Sequence, residues 1–197
     1  MYRDLKPGNV GFDAQGRVRL LDFGLAKQLE GPVIATKKYK LTGKTGSWTY
    51  MAPEVAKGWP YSRSVDAYSF GILLWEVCMM ESAYEEYNDE EIQRFVIRGA
   101  EERPPIRHGL PASLAKMMES CWTSFSHKRP SFDTLVEQLQ EHKDQLELYR
   151  QQNQQDVEDQ EQSLPLPWPQ LLALLAIIVL LIVWQLLRLE RVVEVSQ

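Results

Sequence analysis

The chain has 197 residues, with 22 Lys and Arg against 27 Asp and Glu and a net charge of -5. That length supports one sizeable core plus appendages, and the acidic balance lacks the basic footprint of nucleic-acid binders, so no nucleic-acid partner is expected. Cys78 and Cys121 lie far apart in apolar stretches, which excludes a disulfide framework and a Cys-x-x-Cys metal pattern and reads as two buried thiols. His108, His127 and His142 have no cysteine or carboxylate at zinc-ligand spacing.

The amino terminus carries no basic region followed by an apolar core and a cleavage site, so no secretory signal is expected. Residues 1–148 have the composition of a globular domain, with short strand-like runs first and helical patterns afterwards. An apolar run from Val18 to Leu21 follows the turn Asp13-Ala14-Gln15-Gly16, which predicts a short hairpin. The apolar spacing after Asp66 is helical. Residues 138–162 are rich in Gln, Glu and Asp, with leucines too irregular for a heptad seam; a helical extension fading into a polar tether over 149–163 is expected.

Residues 164–187 carry no charge, and Leu171 to Trp184 is unbroken apolar. About 20 such residues cross roughly 30 Å of hydrocarbon, so a single C-terminal transmembrane helix is expected, entered through Pro165, Pro167 and Pro169 and flanked by Trp168 and Trp184. Residues 188–197 then form a short tail, which makes the expected protein a single-pass, tail-anchored membrane protein with its globular part in the cytosol. Arg188 and Arg191 after the span leave endoplasmic reticulum and mitochondrial outer membrane both open.

The chemistry-bearing residues come in a fixed order. Tyr2-Arg3-Asp4-Leu5-Lys6-Pro7-Gly8-Asn9 is followed by Asp22-Phe23-Gly24, then by Gly46-Ser47-Trp48-Thr49-Tyr50-Met51 and Ala52-Pro53-Glu54. Farther on stand Asp66 to Glu76, Cys121-Trp122 and Arg129-Pro130-Ser131-Phe132. This series resembles the catalytic loop, metal-binding triplet, activation segment and closing region of the eukaryotic protein kinase family, with Tyr2 in place of the usual His. The wording is similar to the tyrosine-kinase-like group of serine/threonine kinases, over about residues 1–140.

The resemblance implies a mainly α fold: a kinase-like C-lobe of short β hairpin and helical bundle, lacking the N-lobe, followed by the tether and the membrane helix. It implies a membrane-anchored protein serine/threonine kinase that uses ATP and Mg2+ on a protein substrate. Asp4 would orient the substrate hydroxyl and take its proton, and Lys6 would neutralise charge on the transferred phosphoryl group. Asn9 and Asp22 would offer oxygen ligands to Mg2+. Phe23 and Gly24 complete a switch-like triplet, and Ser47 would link Asp4 and Lys6. Arg3 implies a phosphate counter-ion in the activation segment, with Thr36, Thr42 and Thr45 as acceptors. Glu54 and Arg129 would form a buried ion pair, and Asp66 would hold the catalytic-loop backbone from beneath. Lys37, Lys38, Lys40 and Lys44 make the activation segment basic, a pattern that suits acidic substrates and also an ordinary solvated loop.

A kinase also needs a Gly-rich loop, a strand Lys and a helix Glu, all upstream of the catalytic loop. None stands before Met1, so a non-catalytic docking module and a truncated inactive fragment remain alternatives to the kinase reading.

Overall fold

The computed structural model describes residues 1–29, 37–99, 101–107 and 109–152. A tight helical turn over Pro7–Asn9 leads into strand β1 (Val10–Phe12), which pairs antiparallel with β2 (Val18–Leu20). Val10 lies opposite Leu20, Gly11 opposite Arg19 and Phe12 opposite Val18. Asp13 closes the connection: its Oδ1 accepts the N–H groups of Gln15 and Arg17 at 3.0 Å each, and Gly16 turns the chain at φ +73°. An aspartate bonded to backbone two residues on mimics a backbone turn, which is why this short linker folds locally.

Five helices follow among the described residues: α1 (Pro53–Ala56), α2 (Ser64–Met79), α3 (Asp89–Glu91), α4 (Ala112–Cys121) and α5 (Phe132–Gln152). Helix α3 widens directly into a π-helical stretch, Ile92–Arg98. It starts on a reciprocal cap, with Asn88 Oδ1 accepting the Glu90 and Glu91 N–H groups while Glu91 returns a carboxylate to the Asn88 N–H at 2.9 Å.

Helix α2 is the axis of the molecule. Val65, Tyr68, Phe70, Ile72, Leu73, Leu74 and Trp75 are all buried, and a helix that is apolar all round belongs inside a fold. Helix α4 crosses it at Gly71, where a Cβ would stand 2.7 Å from the Cβ of Cys121, so only glycine permits this approach. Met118 and Cys121 of α4 and Leu135 and Leu139 of α5 are buried in the same core, and Phe132 meets Phe70 edge-on at 5.9 Å between centroids. Each buried aliphatic or aromatic side chain contributes about 1.5–3 kcal/mol, so stability is concentrated around α2.

The expected fold needs one correction. No helix among the described residues is long and apolar enough to cross a membrane, so the described architecture is a short hairpin and helices of C-lobe type, and the expected membrane helix is not part of it. The longest helix, α5, has 21 residues but carries Glu137, Glu141, Lys143, Asp144 and Glu147 along its length. It runs on past Leu148 to Gln152. The apolar segment 164–187, the tail 188–197 and the tether beyond residue 152 lie outside the described residues.

Candidate active site

The loop ahead of β1 is fixed from below by α2. Asp66, buried in the first turn of that helix, accepts the Tyr2 N–H on Oδ2 at 2.8 Å and the Arg3 N–H on Oδ1 at 2.6 Å. Burial pushes the Asp66 carboxyl above the usual carboxylate range, and the two N–H donors oppose that rise. Arg3 takes φ +72°, a left-handed turn directly between Tyr2, which Asp66 holds, and Asp4.

Asp4 is the centre of a polar cluster. Its Oδ2 lies 3.1 Å from Lys6 Nζ and accepts Asn9 Nδ2 at 2.8 Å, and its carbonyl accepts the same amide at 2.9 Å. Lys6 Nζ also donates to Ser47 Oγ at 3.0 Å, so the hydroxyl reaches Asp4 through the ammonium. Oδ1 of Asp4 faces Gly46, which has φ +96° and whose Cβ, if it had one, would stand 3.1 Å from that oxygen and 3.0 Å from the Arg3 carbonyl. Glycine therefore keeps the approach to Oδ1 open. A cleft at this point is lined by Arg3, Asp4, Thr45, Gly46, Ser47 and Tyr50, among others.

The triplet Asp22-Phe23-Gly24 lies alongside. The Leu21 N–H donates to the Asn9 carbonyl at 2.9 Å, which carries the strand onward and sets Asp22 next to the loop. Asp22 is exposed at φ +48°, and its Oδ1 accepts the Gly24 N–H at 3.0 Å. Phe23 packs edge-on against Tyr2 at 5.5 Å, and the Tyr2 hydroxyl donates to the Leu21 carbonyl. Burial pushes the Tyr2 phenol up to about 12, with the charges of Asp4, Asp22 and Asp66 adding to the rise, so it stays a donor at neutral pH. Asn9 and Asp22 present side-chain oxygens of the kind Mg2+ prefers, and since the Asn9 amide nitrogen is held by Asp4, its oxygen is the atom left for a cation. The donor set fits that ion.

Leu21 before the triplet and Phe23 within it are each 47% exposed, and Phe12, opposite Val18 in the hairpin, is 61% exposed.

The activation segment is tied down at several points. Arg3 donates from Nε to the Leu25 carbonyl at 2.6 Å and from one terminal nitrogen to Thr42 Oγ1 at 3.1 Å and the Tyr61 hydroxyl at 2.9 Å. Thr45 donates weakly to the Thr42 carbonyl at 3.4 Å. Thr36 lies outside the described residues. Glu54 and Arg129 meet as a bidentate pair, at 2.6 and 3.0 Å, with Arg129 also holding the carbonyls of Thr123 and Ser64.

Three contributors escaped the sequence reading. Tyr61 bridges Arg3 and the Thr42 carbonyl, to which it donates at 2.8 Å, and exchanges two backbone hydrogen bonds with Tyr39 at 2.8 and 3.1 Å. Ser69 donates to the Tyr50 carbonyl at 2.7 Å, and Glu76 accepts the Tyr50 hydroxyl at 2.7 Å, so α2 also seats the end of the segment. A serine or glutamate in a largely apolar helix was the available signal, because a polar group in such a helix needs a partner.

The profile of protein tyrosine and serine/threonine kinases matches residues 1–139. A dual specificity protein kinase of Dictyostelium discoideum is 37% identical over 141 residues, covering 72% of this chain and 18% of that protein. A probable LIM domain-containing serine/threonine-protein kinase of the same organism is 33% identical over 150 residues, 76% of this chain and 22% of the relative. A serine/threonine/tyrosine-protein kinase of Arabidopsis thaliana is 32% identical over 142 residues, 72% of this chain and 35% of the relative. The chain thus spans about a third or less of the length of these relatives.

Proposed function

The chain belongs to the protein tyrosine and serine/threonine kinase family, and from that membership we propose that it carries the catalytic half of an ATP-dependent protein kinase acting on serine and threonine hydroxyls. The observation that carries the reading is the Asp4 cluster, in which one carboxylate oxygen is held by Lys6 and Asn9 while the other faces the opening at Gly46.

Asp4 Oδ1 accepts the hydrogen bond of an incoming hydroxyl, aims its oxygen and takes the proton as the new O–P bond forms. Lys6, already 3.1 Å from Asp4 and 3.0 Å from Ser47, is placed to balance negative charge on the phosphoryl group in transit. Asn9 and Asp22 would hold Mg2+, which would supply charge neutralisation on the phosphate oxygens. Asp66 acts through the loop backbone and is a positioning residue. The exposed Phe12, Leu21 and Phe23 support a seat for the nucleotide-gripping part of a kinase.

Lys6 favours serine and threonine over tyrosine by the family resemblance, and the names of two relatives carry tyrosine or dual specificity. The test is transfer of labelled γ-phosphate from ATP by the full chain, with Mg2+, to three peptides that differ only in carrying Ser, Thr or Tyr. Transfer to the first two above the third is expected. Preference for the tyrosine peptide overturns the substrate assignment, and transfer to none overturns the catalytic reading.

A further inference from the structure

Between residues 37 and 65 the sole carboxylate is Glu54, and that group is held by Arg129. The same stretch carries Lys37, Lys38, Lys40, Lys44 and Lys57. Among the described residues, no carboxylate lies within ion-pair distance of Lys38, Lys40, Lys44 or Lys57.

Backbone contacts bring the segments that carry these lysines together. The Lys44 N–H donates to the Val55 carbonyl at 3.1 Å, and Gly43 lies so close to Gly58 that a Cβ would stand 2.8 Å from its Cα. Residues 43–44 therefore run against residues 55–58. The paired backbone of Tyr39 and Tyr61 sets Lys38 and Lys40, both exposed, next to the chain that follows Trp59. Lys57 Nζ lies 4.9 Å from the centre of the Trp59 ring, which is 58% exposed. A surface of unpaired lysines around an exposed indole is the chemistry that holds carboxylate-rich peptide.

Its position relates it to the site. Lys44 is two residues from Gly46, which borders Asp4 Oδ1. Two residues of extended chain span roughly 7 Å, so a peptide whose hydroxyl sits at Asp4 brings its near neighbours to Lys44. We propose that Lys38, Lys40, Lys44, Lys57 and Trp59 form a docking face for acidic stretches flanking the acceptor hydroxyl of a protein substrate. The inference rests on the phosphoryl-transfer reading for its substrate role, whereas the binding it requires does not depend on catalysis.

The experiment uses the full chain and two labelled peptides, one with a serine flanked by glutamates and a twin with glutamine at each of those positions. Fluorescence anisotropy is expected to show the glutamate peptide binding about tenfold tighter, with the advantage shrinking as salt is raised. Lys44→Glu with Lys57→Glu is expected to abolish the advantage and leave the twin unchanged; Lys44→Gln with Lys57→Gln reduces it without reversing charge. Equal affinity for the two peptides, or an advantage that survives both double variants, overturns the docking face. Should the charge-reversed variant not fold, the comparison of peptides on the unaltered chain decides. Phosphoryl transfer to both peptides is followed in parallel. Equal transfer with equal binding removes the face and leaves the kinase reading standing, while charge-dependent binding without transfer to either removes the kinase reading and leaves an acidic-peptide face.

Discussion

Removing Arg129 tests the idea that one buried pair clamps the end of the activation segment to the helical core. Its side chain is 0% exposed and its guanidinium holds both oxygens of Glu54, at 2.6 and 3.0 Å, together with the carbonyls of Thr123 and Ser64. Arg129→Met fills much of the same space with an apolar side chain but leaves the Glu54 carboxylate, itself 10% exposed, without a counter-charge. Breaking one side of such a pair costs about 3–5 kcal/mol, a large share of the roughly 5–15 kcal/mol that holds a domain together. With a urea m-value of about 2 kcal/mol/M, the unfolding midpoint should fall by about 2 M with the slope unchanged. Adding Glu54→Gln should recover part of the loss, because a buried amide is cheaper to strand than a charge. The assay is urea unfolding followed by circular dichroism on the full chain, on Arg129→Met and on the double variant. A loss below about 1 kcal/mol for Arg129→Met, the level of an exposed surface pair, would refute the clamp.

Two further outcomes follow from the same geometry. Burial pushes the thiols of Cys78 and Cys121 up to about 12, so at pH 8 almost no thiolate exists. Iodoacetamide should leave both unlabelled in the folded chain and label both in urea; rapid labelling of the native chain would contradict their burial. Gly46→Ala places a Cβ at φ +96°, 3.1 Å from Asp4 Oδ1 and 3.0 Å from the Arg3 carbonyl. The left-handed backbone alone costs roughly 1–2 kcal/mol for a residue other than glycine, and the methyl crowds the approach to Asp4. Phosphoryl transfer should drop at least about tenfold, more than that loss of stability explains; a variant as active as the original chain would show that the opening at Gly46 is not the route to Asp4.

The elements that were legible in the sequence are those set by local signals. The Asp13 turn was visible because one side chain organises four residues, and α2 was visible as an apolar run behind a helix-start carboxylate. The short series Asp4, Lys6 and Asn9 was noticed through family resemblance, and the structure brings those three side chains within hydrogen-bond reach of one another or of Asp4. What could not be read was the long-range closure. Nothing local to Tyr61 says that its hydroxyl meets Arg3 across 58 positions, and a backbone bridge such as Tyr39 with Tyr61 has no periodicity to betray it. Arg103 is a further case: its guanidinium collects the carbonyls of Trp122, Val96 and Glu102 and lies over the Tyr68 ring, a knot that exists only once α2, α4 and the connection between them are assembled. The membrane helix in the expected fold came from composition alone, and no helix among the described residues is long and apolar enough to be it.

The most direct test of the central claim is the rate of phosphoryl transfer from ATP to a serine peptide by the full chain and by Asp4→Asn, measured with Mg2+ across a range of peptide concentrations. An asparagine keeps the shape and a hydrogen-bonding oxygen at position 4 but cannot take the proton, so kcat should fall by about 10²–10⁴-fold with KM for the peptide little changed. Transfer by Asp4→Asn at the rate of the unaltered chain would contradict the assignment of Asp4 as the base and with it the proposed mechanism.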